Sequence, residues 1–312
     1  MNGVADRTKG YFYVMAAAVL WASSGTMGKA LFQEGLTPSD LVQVRVTIAT
    51  VILAVALAMA QPSLLRIRMR DAGFFFLLGG IIMALVQVTY FYAISQIQVM
   101  AAILLQYLSP VFVAVFSMLF WGERCTPGKL VSLVLALAGC YLVAGGYNME
   151  LLTLNRMGLI AGLLSAVLYA VYALGGEWAM RRYDPWTVVF YSFLFATVTW
   201  NLIHPPFKFL SAHHDAAQWM RLLYIAVLGT VAPFSLYFLG INYIRSTQAM
   251  ITATLEPISA GLLAFLFLGE TLEPLQLAGA ACVIAAIVIL QLRRGEEEQS
   301  PEAIRTERSG SL

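Results

Sequence analysis

Residues 90–127, YFYAISQIQVMAAILLQYLSPVFVAVFSMLFWGERCTP, and residues 237–274, YFLGINYIRSTQAMITATLEPISAGLLAFLFLGETLEP, are two versions of one segment. A shift of 147 places Tyr90-Phe91 on Tyr237-Phe238, Ile94 on Ile241, Ile97 on Ile244, Ala102 on Ala249 and Leu108 on Leu255. Pro110 falls on Pro257, Gly122-Glu123 on Gly269-Glu270 and Pro127 on Pro274. There are 12 identities in 38 ungapped positions. A shared apolar bias does not align prolines and Gly-Glu pairs, so the segment is an internal repeat. A shift of 148 extends it toward the N-terminus. Gly10 then falls on Gly158, and Val19-Leu20-Trp21-Ala22 on Val167-Leu168-Tyr169-Ala170.

The solvent of this repeat is lipid. Of the 312 residues, 60% are apolar and 12% charged, where a soluble chain carries about 25% charged residues. Mean hydropathy is +0.77. Disordered chains, disulfide scaffolds, nucleic-acid binders and ordinary soluble enzymes are excluded. Ten stretches reach the about 20 apolar residues that a spanning helix needs. They are approximately 11–32, 39–60, 72–94, 99–121, 128–146, 157–180, 186–204, 219–243, 247–268 and 274–292. Runs such as Val51-Ile52-Leu53-Ala54-Val55 do not alternate, so they are helices and not barrel strands. The first span follows Arg7 and Lys9 as a signal peptide would. Its counterpart at 157–180 argues that it is retained.

Each half then holds five spans. Five is odd, so the second half enters the membrane from the opposite face. The expected fold is an all-α membrane protein with ten transmembrane helices in two inverted five-helix repeats. The expected parts are an N-terminus (1–9), a first repeat (10–146), a linker (147–156), a second repeat (157–292) and a polar, disordered tail (293–312). Orientation follows the cations. With a cytoplasmic N-terminus, Arg7, Lys9, Arg66, Arg68, Arg70, Arg124, Lys129, Arg181, Arg182, Arg245, Arg293, Arg294, Arg305 and Arg308 lie inside, 14 of 19. Lys29, Arg156, Lys208 and Arg221 lie outside, and Arg45 falls within a span. Both termini are expected in the cytoplasm of a bacterial-type inner membrane.

Inverted repeats are the architecture of secondary transporters, with the substrate near the midplane between the halves. The pattern resembles the EamA-type branch of the drug/metabolite transporter superfamily over about residues 10 to 292. The residues that carry the resemblance are Gly10, Ala17-Ala18-Val19-Leu20-Trp21-Ala22 and Lys29, then Pro110 with Gly122-Glu123, and Pro257 with Gly269-Glu270. Two positions depart between the halves: Glu177 stands where Lys29 does, and Tyr169 where Trp21 does. The resemblance implies export of amino acids, including threonine-type and aromatic ones, or of related metabolites and drugs. It specifies the family and not the substrate.

Candidate cavity residues follow from helical spacing. Trp21, Ser24, Gly25 and Gly28 share a face of the first span, and Tyr169, Tyr172, Ala173 and Gly176 the matching face of the sixth. Trp and Tyr usually sit at membrane interfaces, yet Trp21 and Tyr169 lie about ten residues deep. Small residues on these faces also serve plain helix packing. Gln87 and Tyr90 share a face of the third span, and Gln106 and Ser109, with Tyr107 adjacent, lie in the fourth. Pro110 and Pro257 remove helical bonds to the carbonyls of Gln106 and Ala253, which predicts kinks beside a cavity. Gln248, Thr252, Glu256 and Ser259 form a polar stripe. Glu256 is an intramembrane carboxyl, hence a functional candidate for holding an ammonium group or a proton. A neutral acid bonded to a neighbouring helix is the structural alternative. Arg45 either snorkels or pairs with a carboxylate. Glu123 and Glu270 read as caps of the matched turns.

No catalytic constellation, metal site or cofactor site is expected. Cys125, Cys140 and Cys282 have no metal or redox spacing. His204, His213 and His214 read as a solvated loop. No Walker A loop exists to use ATP. The expected partners are a small molecule, an amino acid or related metabolite, and the lipid bilayer. The sequence leaves oligomeric state, coupling ion and direction of flux open. Export of organic-cation drugs is the alternative function, with a channel or an intramembrane enzyme as further classes.

Overall fold

The computed structural model describes residues 2–97, 99–122, 126–143, 147, 155–204, 215–268, 273–292 and 300–310. The turn residues Glu123, Gly269 and Glu270, and with them Cys125, Lys208, His213, His214 and most of the 147–156 linker, lie outside these. The described residues are helical, with no strand among them. In order they are α1 (Asn2–Ala22), α2 (Ser24–Gln33), α3 (Pro38–Ala60), α4 (Ala72–Phe75), a π-helical segment (Phe76–Met83), α5 (Ala84–Gln96), α6 (Val99–Gln106), α7 (Ser109–Trp121) and α8 (Pro127–Val143). There follow α9 (Arg156–Met180), α10 (Pro185–Ile203), α11 (Ala216–Ala226), a second π-helical segment (Val227–Val231), α12 (Ala232–Thr252), α13 (Leu255–Leu268), α14 (Pro274–Leu292) and α15 (Pro301–Gly310).

Six helical stretches among the described residues are long and apolar enough to cross a membrane. Pro127–Val143 and Pro274–Leu290 are shorter apolar helices. Large apolar side chains such as Phe12, Val51, Leu119, Phe120 and Leu202 face outward, as lipid permits and water does not. Polar caps set the ends. Thr37 and Asp40 form a capping box before α3, Asp215 and Gln218 another before α11, and Asn155 and Asp184 cap α9 and α10. Each satisfies amides that the first turn leaves open. Gly122 ends α7 at φ 65°, a left-handed C-cap that glycine adopts without strain.

Helix contacts keep their pattern when the halves are exchanged. α1 lies on α12 as α9 lies on α5. α1 meets α13 as α9 meets α7, and α3 meets α11 as α10 meets the first π segment. α3–α10 and α8–α14 pair with their own counterparts. The irregularities match too. The π segments overlap under the 147-residue shift, and the breaks at Tyr107-Leu108 and Ala253-Thr254 fall within one residue of each other under it.

Three expectations of the sequence need correction. Residues 244–246 were expected as a loop, but α12 runs through them with one non-helical residue, Arg245, at φ 67° and ψ 165°. That region is nearly glycine's alone, and an arginine there stores about 1–3 kcal/mol of strain. Glu177 holds it. Its carboxylate accepts from Arg245 Nε at 2.9 Å, from Ser246 N at 2.8 Å and from the Ser246 hydroxyl. Arg245 is therefore a buried ion-pair partner and not a loop cation. Second, part of the tail is ordered, because Ser300 caps α15 and Arg305 donates to the carbonyls of Met180 and Tyr183 and to Asn242 Oδ1. These contacts cap the C-terminal end of α9. Third, His204 is half-buried against α3, with Nδ1 3.0 Å from Gln43 Oε1.

The tightest self-pairing is at Gly139 and Gly279. A Cβ on Gly139 would lie 2.7 Å from the Gly279 carbonyl oxygen, and one on Gly279 would lie 2.8 Å from that of Gly139. Only glycine lets the two backbones meet. Gly139→Leu is expected to destabilise the protein by about 1–3 kcal/mol or more through overpacking. Thermal melting in detergent measures it, and a variant that melts like wild type would mean that α8 and α14 do not pack this closely.

Candidate functional site

Nine helices converge on one cavity. Trp21 of α1, Ser24 of α2, Arg45 of α3, and Val86, Gln87 and Tyr90 of α5 form one side. Gln106, Tyr107 and Ser109 at the α6–α7 break, Tyr169 of α9, Phe234 of α12 and Glu256 of α13 form the rest. The cavity is about 40 Å³, room for a few waters.

The apolar wall is an aromatic cluster. The Trp21 ring centroid lies 6.3 Å from that of Tyr169, 5.1 Å from Phe234 and 5.3 Å from Tyr237. Tyr169 lies 5.8 Å from Tyr237. The Trp21–Tyr169 and Trp21–Phe234 pairs are edge-to-face, the arrangement that ring quadrupoles favour. Trp21 and Tyr169 occupy equivalent places in the repeat, so the two halves touch here through matched rings.

The polar wall forms where the helices break. Ahead of each proline the backbone tightens into i+3 turns: Leu108 N donates to the Leu105 carbonyl, and Glu256 N to the Ala253 carbonyl. Pro257 leaves the Ala253 carbonyl without its usual helical donor. Tyr107, arriving from the other half, supplies a hydroxyl 2.8 Å away. The same hydroxyl lies 2.7 Å from Glu256 Oε2. Tyr107 and Glu256 are both buried, and Glu256 sits in the first turn of α13, where the helix dipole favours negative charge.

Arg45 stands on α3, 3% exposed. Its Nε donates to Thr230 Oγ1 at 2.8 Å and its Nη2 to the Gly229 carbonyl at 2.8 Å. Both acceptors belong to the second π-helical segment, where the Thr230 hydroxyl reaches back five residues to the Ile225 carbonyl. The guanidinium also covers the Phe91 ring at 4.8 Å. It neither snorkels nor meets a carboxylate within 4 Å among the described residues. It lines the cavity instead.

Eight of the ten sequence candidates therefore share the cavity: Trp21, Ser24, Gln87, Tyr90, Gln106, Tyr107, Tyr169 and Glu256. Two stand outside its lining. Tyr172 packs behind the wall, 5.2 Å from Phe238 and 6.3 Å from Phe234. Thr252 bonds back to the Gln248 carbonyl at 2.7 Å, because the break at Ala253-Thr254 turns α12 away from the stripe that Glu256 continues. Pro110 and Pro257 lie just past the two breaks. Phe234 was not anticipated, yet the repeat marks it: a shift of 147 from Gln87 lands on it. Val86 has no comparable signal. Among the described residues no three metal-ligating side chains cluster.

The profile of the EamA-like transporter family matches residues 8–145 and 156–292, one copy in each half. The chain is similar to the uncharacterized inner membrane transporter YicL of Salmonella typhimurium, at 29% identity over 91% of this chain and 95% of that one. It is similar to the threonine/homoserine exporter RhtA of Escherichia coli K12, at 27% identity over 86% of this chain and 88% of that one. A solved crystal structure shares the fold with a TM-score of 0.71, at 18% identity, covering 90% of this chain and 96% of that one.

Tyr107→Phe removes the one hydroxyl that serves both the Ala253 carbonyl and Glu256. The Ala253 carbonyl keeps its bond from Glu256 N, but the buried Glu256 carboxyl loses its hydroxyl partner, which costs about 1–3 kcal/mol, so the variant is expected to melt several degrees below wild type in detergent. Equal melting would show that the Glu256 carboxyl finds another partner.

Proposed function

This chain belongs to the EamA-like transporter family, and we propose that it is a secondary exporter of amino acids and related metabolites. It works by alternating access of two inverted five-helix halves, with both termini in the cytoplasm. The observation that carries the reading is the contact of Trp21 with Tyr169. Repeat-matched positions meet beside a cavity that also holds an isolated cation, Arg45, and an isolated carboxyl, Glu256. A site between inverted halves places such matched residues near the pseudo-two-fold axis. The odd number of spans per half supports the inversion. The cation count supports the orientation: with the buried Arg245 removed from the 14, 13 inside face 4 outside. The relative that exports threonine and homoserine supports the substrate class.

Each wall has a role in this reading. Trp21, Tyr169 and Phe234 take the apolar part of the substrate. Gln87, Tyr90, Gln106 and Ser24 supply the few polar contacts that orient a small ligand. The breaks before Pro110 and Pro257 let α7 and α13 swing. Glu256 carries a proton. The Tyr107 hydroxyl has one hydrogen and two acceptors beside it, the Ala253 carbonyl and Glu256. Both contacts become hydrogen bonds when Glu256 is protonated and donates to Tyr107, which donates to Ala253. Aromatic walls would also attract flat organic cations, but a buried guanidinium on the same cavity opposes them.

Glu256→Gln keeps the shape of the side chain and cannot release a proton. In proteoliposomes it is expected to abolish gradient-driven uptake while substrate exchange stays measurable. Unchanged gradient dependence would return Glu256 to a purely structural role. Trp21→Ala is expected to weaken aromatic substrates most, since ring contacts contribute roughly 0.5–1.5 kcal/mol beyond buried area. Tyr169→Ala should follow, and threonine should be less affected by either. A transport competition series on folded, monodisperse variants measures this. Equal losses for every substrate would assign the rings to conformational change.

A further inference from the structure

Arg45 is the largest charge on the cavity that the proposed proton step does not use. It is held rigidly by Thr230, Gly229 and the Phe91 face. A guanidinium has five N–H donors, and these two hydrogen bonds use two, which leaves three. Among the described residues no carboxylate lies within 4 Å of it. A buried cation without a counter-charge is costly unless a partner arrives. The fold keeps Arg45 in that state on the wall of a cavity whose other charge is Glu256. The two do not pair with each other. Glu256 bonds to Tyr107, and Tyr90 lines the same cavity.

We infer that Arg45 is the carboxylate clamp of the substrate site, and that with Glu256 it selects a zwitterion carrying carboxylate and ammonium groups on the same carbon. The inference rests on the amino-acid reading of the same cavity and goes further by assigning each end of the substrate. Arginine suits this role because its planar fork matches the two oxygens of a carboxylate. The π-helical turn in front of α12 pre-orients that fork by presenting the Gly229 carbonyl and the Thr230 hydroxyl on one side of it. Glu256 takes the ammonium group, in competition with its proton. The repeat does not duplicate the device: a shift of 147 from Arg45 lands on Ser192, whose hydroxyl bonds back to the Val188 carbonyl. One clamp at one end fits an asymmetric ligand. A simple organic cation would meet Arg45 as a like charge.

The experiment pairs a mutation with a change in the ligand. Purified protein in liposomes is loaded with labelled L-phenylalanine or L-threonine. Counterflow is then competed with L-phenylalanine, with L-phenylalaninamide, which lacks the carboxylate, and with 3-phenylpropanoate, which lacks the ammonium group. Wild type is expected to prefer the amino acid over the amide by at least about tenfold, the scale of charge-assisted hydrogen bonds. Arg45→Gln is expected to bring the two within about twofold of each other, while preference over 3-phenylpropanoate survives. Arg45→Lys keeps the charge and loses the fork, so it should fall between; it carries the test where Arg45→Gln does not fold. If Arg45 variants weaken amino acid and amide by the same factor, Arg45 is only a strut between α3 and α12 and the inference is overturned. If wild type transports an amino acid but does not distinguish the amide, the clamp fails and the export reading stands. If wild type takes up no amino acid in the panel, both fall together.

Discussion

Hydrocarbon offers no hydrogen bonds, so a backbone carbonyl released from a helix must find its donor inside the protein. Pro257 releases the carbonyl of Ala253, and the nearest donor is not on the same half of the chain. Tyr107 reaches across to it, and in doing so places its hydroxyl against Glu256. One steric fact about proline thus ties the two halves together, sites an ionisable group at the centre of the molecule and breaks α12 from α13 where a moving helix needs a joint. The corresponding break before Pro110 brings Gln106, Tyr107 and Ser109 to the same place from the other side.

Around that centre the skeleton is symmetric and the chemistry is not. Helix contacts survive exchange of the halves, and Trp21 meets its equivalent Tyr169. The polar positions diverge instead. Ser109 corresponds to Glu256, Gln87 to Phe234 and Arg45 to Ser192. In the proposed exporter, near-equal halves would exchange between two conformations, and unequal walls would hold a substrate that has two different ends.

The strained Arg245 shows what tight connections demand. With no true loop between the end of α12's first part and Ser246, one residue absorbs the whole change of direction. Glu177 stabilises the outcome by accepting from the Ser246 amide, the Ser246 hydroxyl and the guanidinium at once. Arg305 from α15 covers the neighbouring carbonyls of Met180 and Tyr183. Arg305 thus helps to anchor the described part of the tail at a helix end.

Helices, the repeat and the proline breaks were legible in the sequence, because each follows from local chemistry: apolar length, matched spacing and a missing amide. Helix limits such as Pro38–Ala60 and Pro185–Ile203 fall within two residues of those read from hydropathy. Most cavity residues were legible as well, since a helical face is set by 3.6-residue periodicity. What periodicity cannot give is which element a face meets. Thr252 and Glu256 share a stripe only while the helix is continuous, and the break at Ala253-Thr254 separates them. Glu177 read as a departure from Lys29, and its role appeared only when Arg245 was folded against it. Arg45 had two sequence readings, and the tertiary structure chose neither. Its partners, Gly229 and Thr230, lie 184 and 185 residues away in the chain, in a π-helical turn whose sequence carries no mark of the carbonyl it offers. Local sequence fixes what each helix can present to lipid or to a cavity; long-range packing alone decides which buried charges are left facing one another.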